Sequence, residues 1–400
     1  MKIGVVFHGN PLAGGCFQQS LNATRLLSKD DNSSNEFLYY TPDAGNALAI
    51  KADGIQARTF KLGRKERIIH KLRKQITLNR ILDKFSFFQP LDATFEKDGV
   101  DLVYFTGPSP ICLFLERLNY VLTVWDLCHR DHMEFPEVRQ SFEFEARENL
   151  ARISFAKATA VIAESPLGKQ NLERRYGLDH DRVYWISVSP ALRIPKKEDS
   201  GFDPREGAGI PPDAQYVFYP AQFWAHKNHR LIVDSLSIYN KSTGEEVYAI
   251  FCGSDCGNLN AVLDMAKEKG VGSLVKYVGF VPEEQMPAFY KNSLALVMPS
   301  YFGPTNMPPL EAFAMKTPVI VTDLPGIRDQ VGEAALLVAP DKPEALAKAI
   351  QTLLHDPQLR KDLITKGVSR LKEFSDKNRL TTLRKIFNAY NSKRLSWSVE

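Results

Sequence analysis

An alternation of short apolar runs with helical segments starts twice in this chain, and a Pro/Gly-rich stretch separates the two starts. Strands that alternate with helices imply parallel sheets covered on both faces, which means doubly wound α/β domains. The first series opens at residues 3–7 and continues through 101–105, 120–125, 160–163 and 183–188. Each is a β-branched or aromatic run suited to a buried strand. A helix is predicted over 17–27, and Ser165-Pro166 reads as an N-cap followed by a first-turn proline. The series restarts at 216–219 and continues through 247–252, 275–278, 294–298, 319–322 and 335–338. Predicted helices over 228–240, 261–269 and 309–315 lie between them, and the chain from Pro343 on reads as largely helical. Residues 189–214 hold five prolines and three glycines around Lys196-Lys197-Glu198-Asp199-Ser200, the pattern of a linker. A length of 400 residues agrees with two domains.

Charge narrows the partners. The chain carries 51 basic and 47 acidic residues, a net +4 that makes no case for nucleic acid. The excess is local: residues 61–80 hold eight basic side chains and the single acid Glu66. Ile68, Leu72 and Ile76 recur every four residues through this stretch, so it reads as a basic amphipathic helix. Such a helix is either an ordinary surface helix or one that meets an anionic membrane surface. The five cysteines are odd in number and scattered, which argues against a disulfide scaffold. No apolar run approaches the roughly 18 residues of a membrane span, and the run at 3–7 is too short for a signal peptide. The expected location is cytoplasmic.

In doubly wound sheets ligands bind beyond the carboxyl ends of strands, beside helix N-termini. Four segments fall there. Gly14-Gly15 lies between the first strand and its helix, where adjacent glycines let backbone N–H groups approach a phosphate. It is neither a dinucleotide fingerprint nor a Walker loop, and a tight turn without a ligand explains it equally. Asp126 and His129 end the strand that reads Thr123-Val124-Trp125. With Cys128 and His132 they match no established zinc spacing, so a histidine oriented by a carboxylate is the reading preferred. Lys227 precedes Asn228, a candidate N-cap, and would sit at a positive helix end suited to a diphosphate. Residues 299–311 form a Pro/Gly-rich loop running into the helix that carries Glu311, with Pro309 placed for its first turn. A carboxylate in a first turn is favoured by the helix dipole alone, and a rigid loop ending on one also suits sugar hydroxyls.

Taken together, these segments are familiar. Phe223-Trp224-Ala225-His226-Lys227-Asn228-His229, Gly279-Phe280-Val281-Pro282, the run from Phe302-Gly303-Pro304 to Leu310-Glu311-Ala312, and Pro318-Val319-Ile320-Val321-Thr322-Asp323 resemble glycosyltransferase family four, the retaining glycosyltransferases of the GT-B fold. The resemblance implies an N-terminal Rossmann-like acceptor domain at 1–195, a linker at 196–214, and a C-terminal Rossmann-like donor domain at 215–378. A helical tail at 379–400 would pack back on the first domain. The two domains would face a central cleft. The donor would be a GDP- or UDP-hexose. Lys227 would neutralise its diphosphate, with Gln222 and His226 nearby. Glu311 would bind the ribose hydroxyls, Gly279 and Val281 would lie near the base, and Gly14 and Gly15 would close on the diphosphate. Asp126 and His129 would face the reacting sugar, His129 polarising a hydroxyl. No metal or other cofactor is implied, because lysine and helix dipoles stabilise the leaving diphosphate.

Three positions depart from the family pattern. Gly303 stands where a first Glu is common, so backbone N–H groups of Thr305, Asn306 and Met307 would hold the donor hydroxyls instead. Gln222 stands where an Arg is usual, and Trp125 where a His is usual. The expected activity is transfer of a mannose- or glucose-type hexose to a glycan, the acceptor being a lipid-linked surface polysaccharide or lipopolysaccharide intermediate at the cytoplasmic face of the inner membrane. Alternatives are a non-catalytic nucleotide-sugar-binding or scaffold protein and a soluble GT-B enzyme acting on sugar phosphates.

Overall fold

The computed structural model describes residues 1–9, 14–61, 91–190 and 201–397. The basic stretch expected at 61–80 lies outside them, apart from Lys61. The chain divides into two compact units, Met1–Val188 with Ser375–Glu400, and Ser189–Phe374.

The first unit is built on a seven-stranded, all-parallel sheet in the order β3-β2-β1-β4-β5-β6-β7. Its strands are β1 (Lys2–Val6), β2 (Glu36–Thr41), β3 (Ala57–Thr59), β4 (Leu102–Phe105), β5 (Asn119–Val124), β6 (Ala160–Ala163) and β7 (Val183–Trp185). Alternate residues face opposite sides, as a pleated strand requires. Val103 and Phe105 of β4 join a core with Leu122, Phe155 and Val161, while Leu102 and Tyr104 join another with Ile3, Val5 and Val121. That second core is closed by Leu383, Ile386 and Phe387 of the helix Asp376–Arg394. The helix is pinned by the Arg384–Asp30 ion pair and by Tyr390 Oη donating to Asp101 O at 3.0 Å. Strands β2 and β3 are absent from the strands predicted above. Only β3 lies at the sheet edge, and β2 runs between it and β1. In Glu36-Phe37-Leu38-Tyr39-Tyr40-Thr41 only Tyr40 and Thr41 are buried, and β3 is short and largely exposed, so neither reads as a fully buried central strand.

The second unit holds a six-stranded parallel sheet in the order β10-β9-β8-β11-β12-β13. Here β8 is Tyr216–Pro220, β9 Tyr248–Cys252, β10 Val275–Tyr277, β11 Ala295–Met298, β12 Val319–Thr322 and β13 Leu336–Val338. Helix His229–Thr243 buries Leu231, Ile232, Val233 and Leu236 and packs on Pro343–His355. Helix Met307–Ala314 packs on Pro357–Leu371, where Gly367 lies so close under Phe313 that a Cβ would meet its ring at 2.6 Å.

The stretch 196–214 is not a linker throughout. Asp203 caps a helix at Pro204–Ala208 by accepting from Arg205 N, and Gly209 closes it at φ 63°. Arg205 Nε then donates to Ala214 O at 3.0 Å, and its guanidinium stacks over Tyr216. The Asp-Pro start and glycine stop were legible signals of a short helix, masked by the Pro/Gly content around them. The structured chain belongs to the second unit from Ser189.

Candidate active site

Among the described residues strand order reverses twice, between β1 and β4 and between β8 and β11. At such a point the two flanking loops leave in opposite directions and open a crevice. In the second unit those loops are 221–228 and 299–306, and the structure brings them together. The His226 imidazole stacks on Phe302, ring centroids 3.9 Å apart and planes 13° from parallel. Tyr301 N donates to His226 O at 2.8 Å. Tyr219 Oη, at the end of β8, donates to Lys227 O and lies 3.0 Å from Ser300 Oγ. Lys227 is half-buried there, immediately before helix His229–Thr243.

Asn228 does not cap that helix with its side chain. It adopts φ 56°, and Nδ2 donates to Pro299 O at 3.1 Å and Pro340 O at 2.9 Å. The residue expected to cap one helix instead staples three loops, which a local capping rule does not foresee. His229, stacked on Phe223 at 4.1 Å, is pushed down to about 3 by burial and then by the Lys227 charge.

Neighbouring loops are stitched backbone to backbone. Gly253, after β9, adopts φ 133° so close to Ala221 that a Cβ would meet its carbonyl oxygen at 2.6 Å. Its N–H donates to Gly279 O at 3.0 Å. Gly279 and Val281 thus lie on the loop after β10, beside the loop that carries Gln222, whose Oε1 accepts from Trp224 Nε1. Phe280 between them is 83% exposed.

Glu311 is not in a first turn. Helix Met307–Ala314 begins four residues earlier, because Pro308 and Pro309 both fit its N-terminal positions. The helix dipole therefore does not account for Glu311, which is only 6% exposed. Its Oε2 accepts from Tyr290 Oη at 2.6 Å. Nearby, burial and then the Glu311 charge push the Cys252 thiol up to about 12. A buried carboxylate on the helix that follows a switch-point loop marks a position where a ligand can be met.

Gly303 adopts φ 114°, and its carbonyl accepts from Asn306 Nδ2 at 3.1 Å. The backbone of Asn306 is itself engaged: its N–H donates to Gln330 Oε1 at 3.0 Å, and Gln330 Nε2 donates to its carbonyl. Asn306 N–H is therefore committed within the protein, contrary to its expected role toward the donor. Thr305 precedes it and Met307 begins the helix. Gly326, opening helix Pro325–Val331, supports the loop from below, since a Cβ there would meet Pro304 O at 2.6 Å.

In the first unit, Gly14 adopts φ 61° immediately before helix Gly15–Ser28, which begins two residues earlier than predicted. Asp126 and His129 follow β5 but do not pair. Asp126 Oδ1 accepts from Arg147 Nη2 at 2.5 Å and from Cys128 N at 2.9 Å. Burial works to raise its carboxyl, and the Arg147 guanidinium outweighs that, holding it below the usual range. His129 is 2% exposed and turns its Nε2 to Glu148 at 3.2 Å and to Tyr176 Oη at 3.2 Å. Burial and then Arg147 hold His129 below its ordinary value, hence neutral. Arg130 grips Glu148 with Nε and Nη2, at 2.8 and 2.5 Å. The expectation that His129 polarises a sugar hydroxyl is thus corrected. Its carboxylate partner is Glu148, 19 residues on, and its ring sits inside a buried network. Asp126, with its side chain 29% exposed, is the more accessible of the two. Among the described residues no group of three His, Cys, Asp or Glu side chains has metal-binding geometry.

Tyr290, Gln330, Arg147 and Glu148 were missed because they reach these positions from distant elements. The family model described as "Glycosyl transferases group 1" matches residues 203–370. The O-antigen chain mannosyltransferase B of Escherichia coli is 24% identical over 264 residues, 64% of this chain and 66% of that protein. A D-inositol 3-phosphate glycosyltransferase of Frankia alni is 31% identical over 228 residues, 55% of this chain and 56% of the relative. The match therefore spans between about half and two thirds of these relatives' length. Among solved structures, Anabaena HepE in complex with UDP-glucose superposes with a TM-score of 0.70, covering 98% of this chain and 100% of HepE. At 17% sequence identity that likeness speaks to the fold, which is GT-B.

Proposed function

We propose that this chain, whose residues 203–370 match the family model of the group 1 glycosyl transferases, moves a hexose from a nucleotide-diphosphate sugar to a glycan acceptor with retention of configuration. The observation that carries the reading is the clamp at the β8–β11 switch point. There His226 and Phe302 hold two loops together, beside a half-buried lysine and a helix N-terminus. Lys227 and the N-terminus of His229–Thr243 receive the diphosphate, an anion suited to both. The buried Glu311 carboxylate accepts from the ribose hydroxyls. Gly279 and Val281 lie toward the base. Taken by itself, the first unit offers Asp126 to a sugar hydroxyl and the Gly14–Gly15 turn, at a helix N-terminus, to an anionic group.

In the step itself, the bond from sugar C1 to the diphosphate oxygen breaks. The acceptor hydroxyl oxygen bonds to C1 from the same face, and its proton passes to the departing phosphate. Lys227 and the helix end stabilise the charge that develops on the leaving group, so the reading requires no metal.

The E. coli relative is an O-antigen enzyme. On that likeness the acceptor is a lipid-linked polysaccharide intermediate, met at the cytoplasmic membrane face with help from the basic stretch 61–80. No helix among the described residues is long and apolar enough to cross a membrane. Reversing several charges in 61–80 is expected to lower co-flotation with anionic liposomes, and unchanged flotation counts against the membrane role. The inositol-phosphate relatives favour a second reading, a sugar-phosphate acceptor that needs no membrane.

Calorimetric titration with UDP- and GDP-hexoses in EDTA tests the donor site. One nucleotide sugar is expected to bind, and Lys227→Ala to abolish or weaken it. Binding without turnover on either acceptor class supports a scaffold instead, and no binding of any donor refutes the reading.

A further inference from the structure

We infer that Tyr290 is the positioning residue of the donor site, aiming the Glu311 carboxylate at its ligand. The inference rests on the reading that Glu311 meets the nucleotide sugar.

Tyr290 lies on helix Met286–Lys291, between β10 and β11, and is fully buried. Its hydroxyl donates to Glu311 Oε2 at 2.6 Å, the short distance typical of a charge-assisted bond. The anchor is rigid. Phe218 of β8 meets its ring edge-on at 5.1 Å and 88°. Thr317 Oγ1 and Ser293 Oγ both donate to Tyr290 O at 2.8 Å. Ring and backbone are therefore tied to β8 and to the turn before β12, so the hydroxyl marks a fixed point.

A glutamate five residues into a helix ordinarily turns its flexible side chain to water. Glu311 is instead held inward against that fixed point. Burial, and then the Glu311 charge, keep the Tyr290 phenol protonated at any physiological pH, so it is always the donor. The neighbouring Cys252 thiol stays neutral for the same reasons. The carboxylate is thus the charge of this trio, and Tyr290 fixes its direction. A carboxylate so held accepts ligand hydroxyls without first reorganising, which is how a pre-set group gains affinity.

The test is donor binding to the full chain by calorimetry, for wild type, Tyr290→Phe, Glu311→Gln and the double variant, at pH 8.0, 7.0 and 5.5. Circular dichroism melts confirm that each variant is folded. Losing a hydrogen bond to a charged group is expected to raise the donor Kd of Tyr290→Phe about tenfold. The loss should grow as pH falls, because a carboxylate that has lost a donor to its charged form is more easily protonated. In the Glu311→Gln background, Tyr290→Phe should add almost nothing. Wild-type affinity in Tyr290→Phe beside a weakened Glu311→Gln overturns this inference alone. So does a loss that is independent of pH and additive with Glu311→Gln, the mark of a packing role. Wild-type affinity in Glu311→Gln overturns the donor reading of Glu311, and the inference with it.

Discussion

His226 and Phe302, 76 residues apart in sequence, stack face to face with ring centroids 3.9 Å apart and join loops that leave adjacent strands. An aromatic pair of this kind contributes about 0.5–1.5 kcal/mol beyond its buried area. Phe302→Ala is therefore expected to weaken donor binding about two- to twelvefold, with Phe302→Tyr near wild type. Equal calorimetric affinities for the alanine variant and wild type contradict a clamp.

Lys227 and Glu311 approach the donor from different elements, so their losses should be separable. A charge-assisted hydrogen bond is worth about 1.5–3 kcal/mol. Lys227→Ala and Glu311→Ala should each cost roughly 10- to 150-fold in kcat/KM for the nucleotide sugar. The lysine variant should lose affinity for the free nucleoside diphosphate, and the glutamate variant for the free nucleoside. Wild-type kinetics in both variants removes the site assignment.

Acid should destabilise this fold early. His229 titrates near 3 when folded, against an ordinary value of 6.5, because it is buried beside Lys227. Below pH 6.5 the unfolded chain takes up the proton first, so stability falls with pH until about 3. Glu148, held down to about 2 chiefly by its hydrogen bond from Arg130, adds a loss between 4.5 and 2. Urea midpoints at pH 7.5, 6.0 and 4.5 measure the upper window. His229→Phe should flatten it, and a variant that declines as steeply as wild type contradicts the assignment.

Gly303 stands where the family's first carboxylate is common, and writing that residue back should not help. At φ 114° a side chain is strained by about 1–3 kcal/mol. Gly303→Glu is expected to lower Tm and leave donor affinity no better than wild type. A tighter donor complex in that variant shows the loop rebuilding around the new side chain.

Gly326→Ala probes the same loop from beneath. Its Cβ meets backbone at 2.6 Å, which no side-chain rotation relieves. A cost of about 1–3 kcal/mol in stability should accompany weaker donor binding. Unchanged Tm and Kd together refute the support role.

Much of this protein was already decided by local chemistry. The buried central strands announce themselves as apolar, β-branched runs, so β4, β6, β8, β11 and β12 fall within a residue or so of their predicted bounds. Two parallel sheets follow from the alternation, and the switch-point rule then locates Lys227 and the 299–306 loop. What hydrophobic periodicity does not carry is the identity of partners across the sheet. Sequence proximity paired Asp126 with His129, whereas tertiary packing gave Asp126 to Arg147 and His129 to Glu148. Pattern put Glu311 at a helix end, whereas the two prolines before it started the helix early and left its carboxylate to Tyr290. A hydrogen bond is settled by a few tenths of an ångström between side chains from separate elements. Such distances exist only after the strands have registered and the helices have docked, so the strands belonged to the sequence and the partners to the tertiary structure.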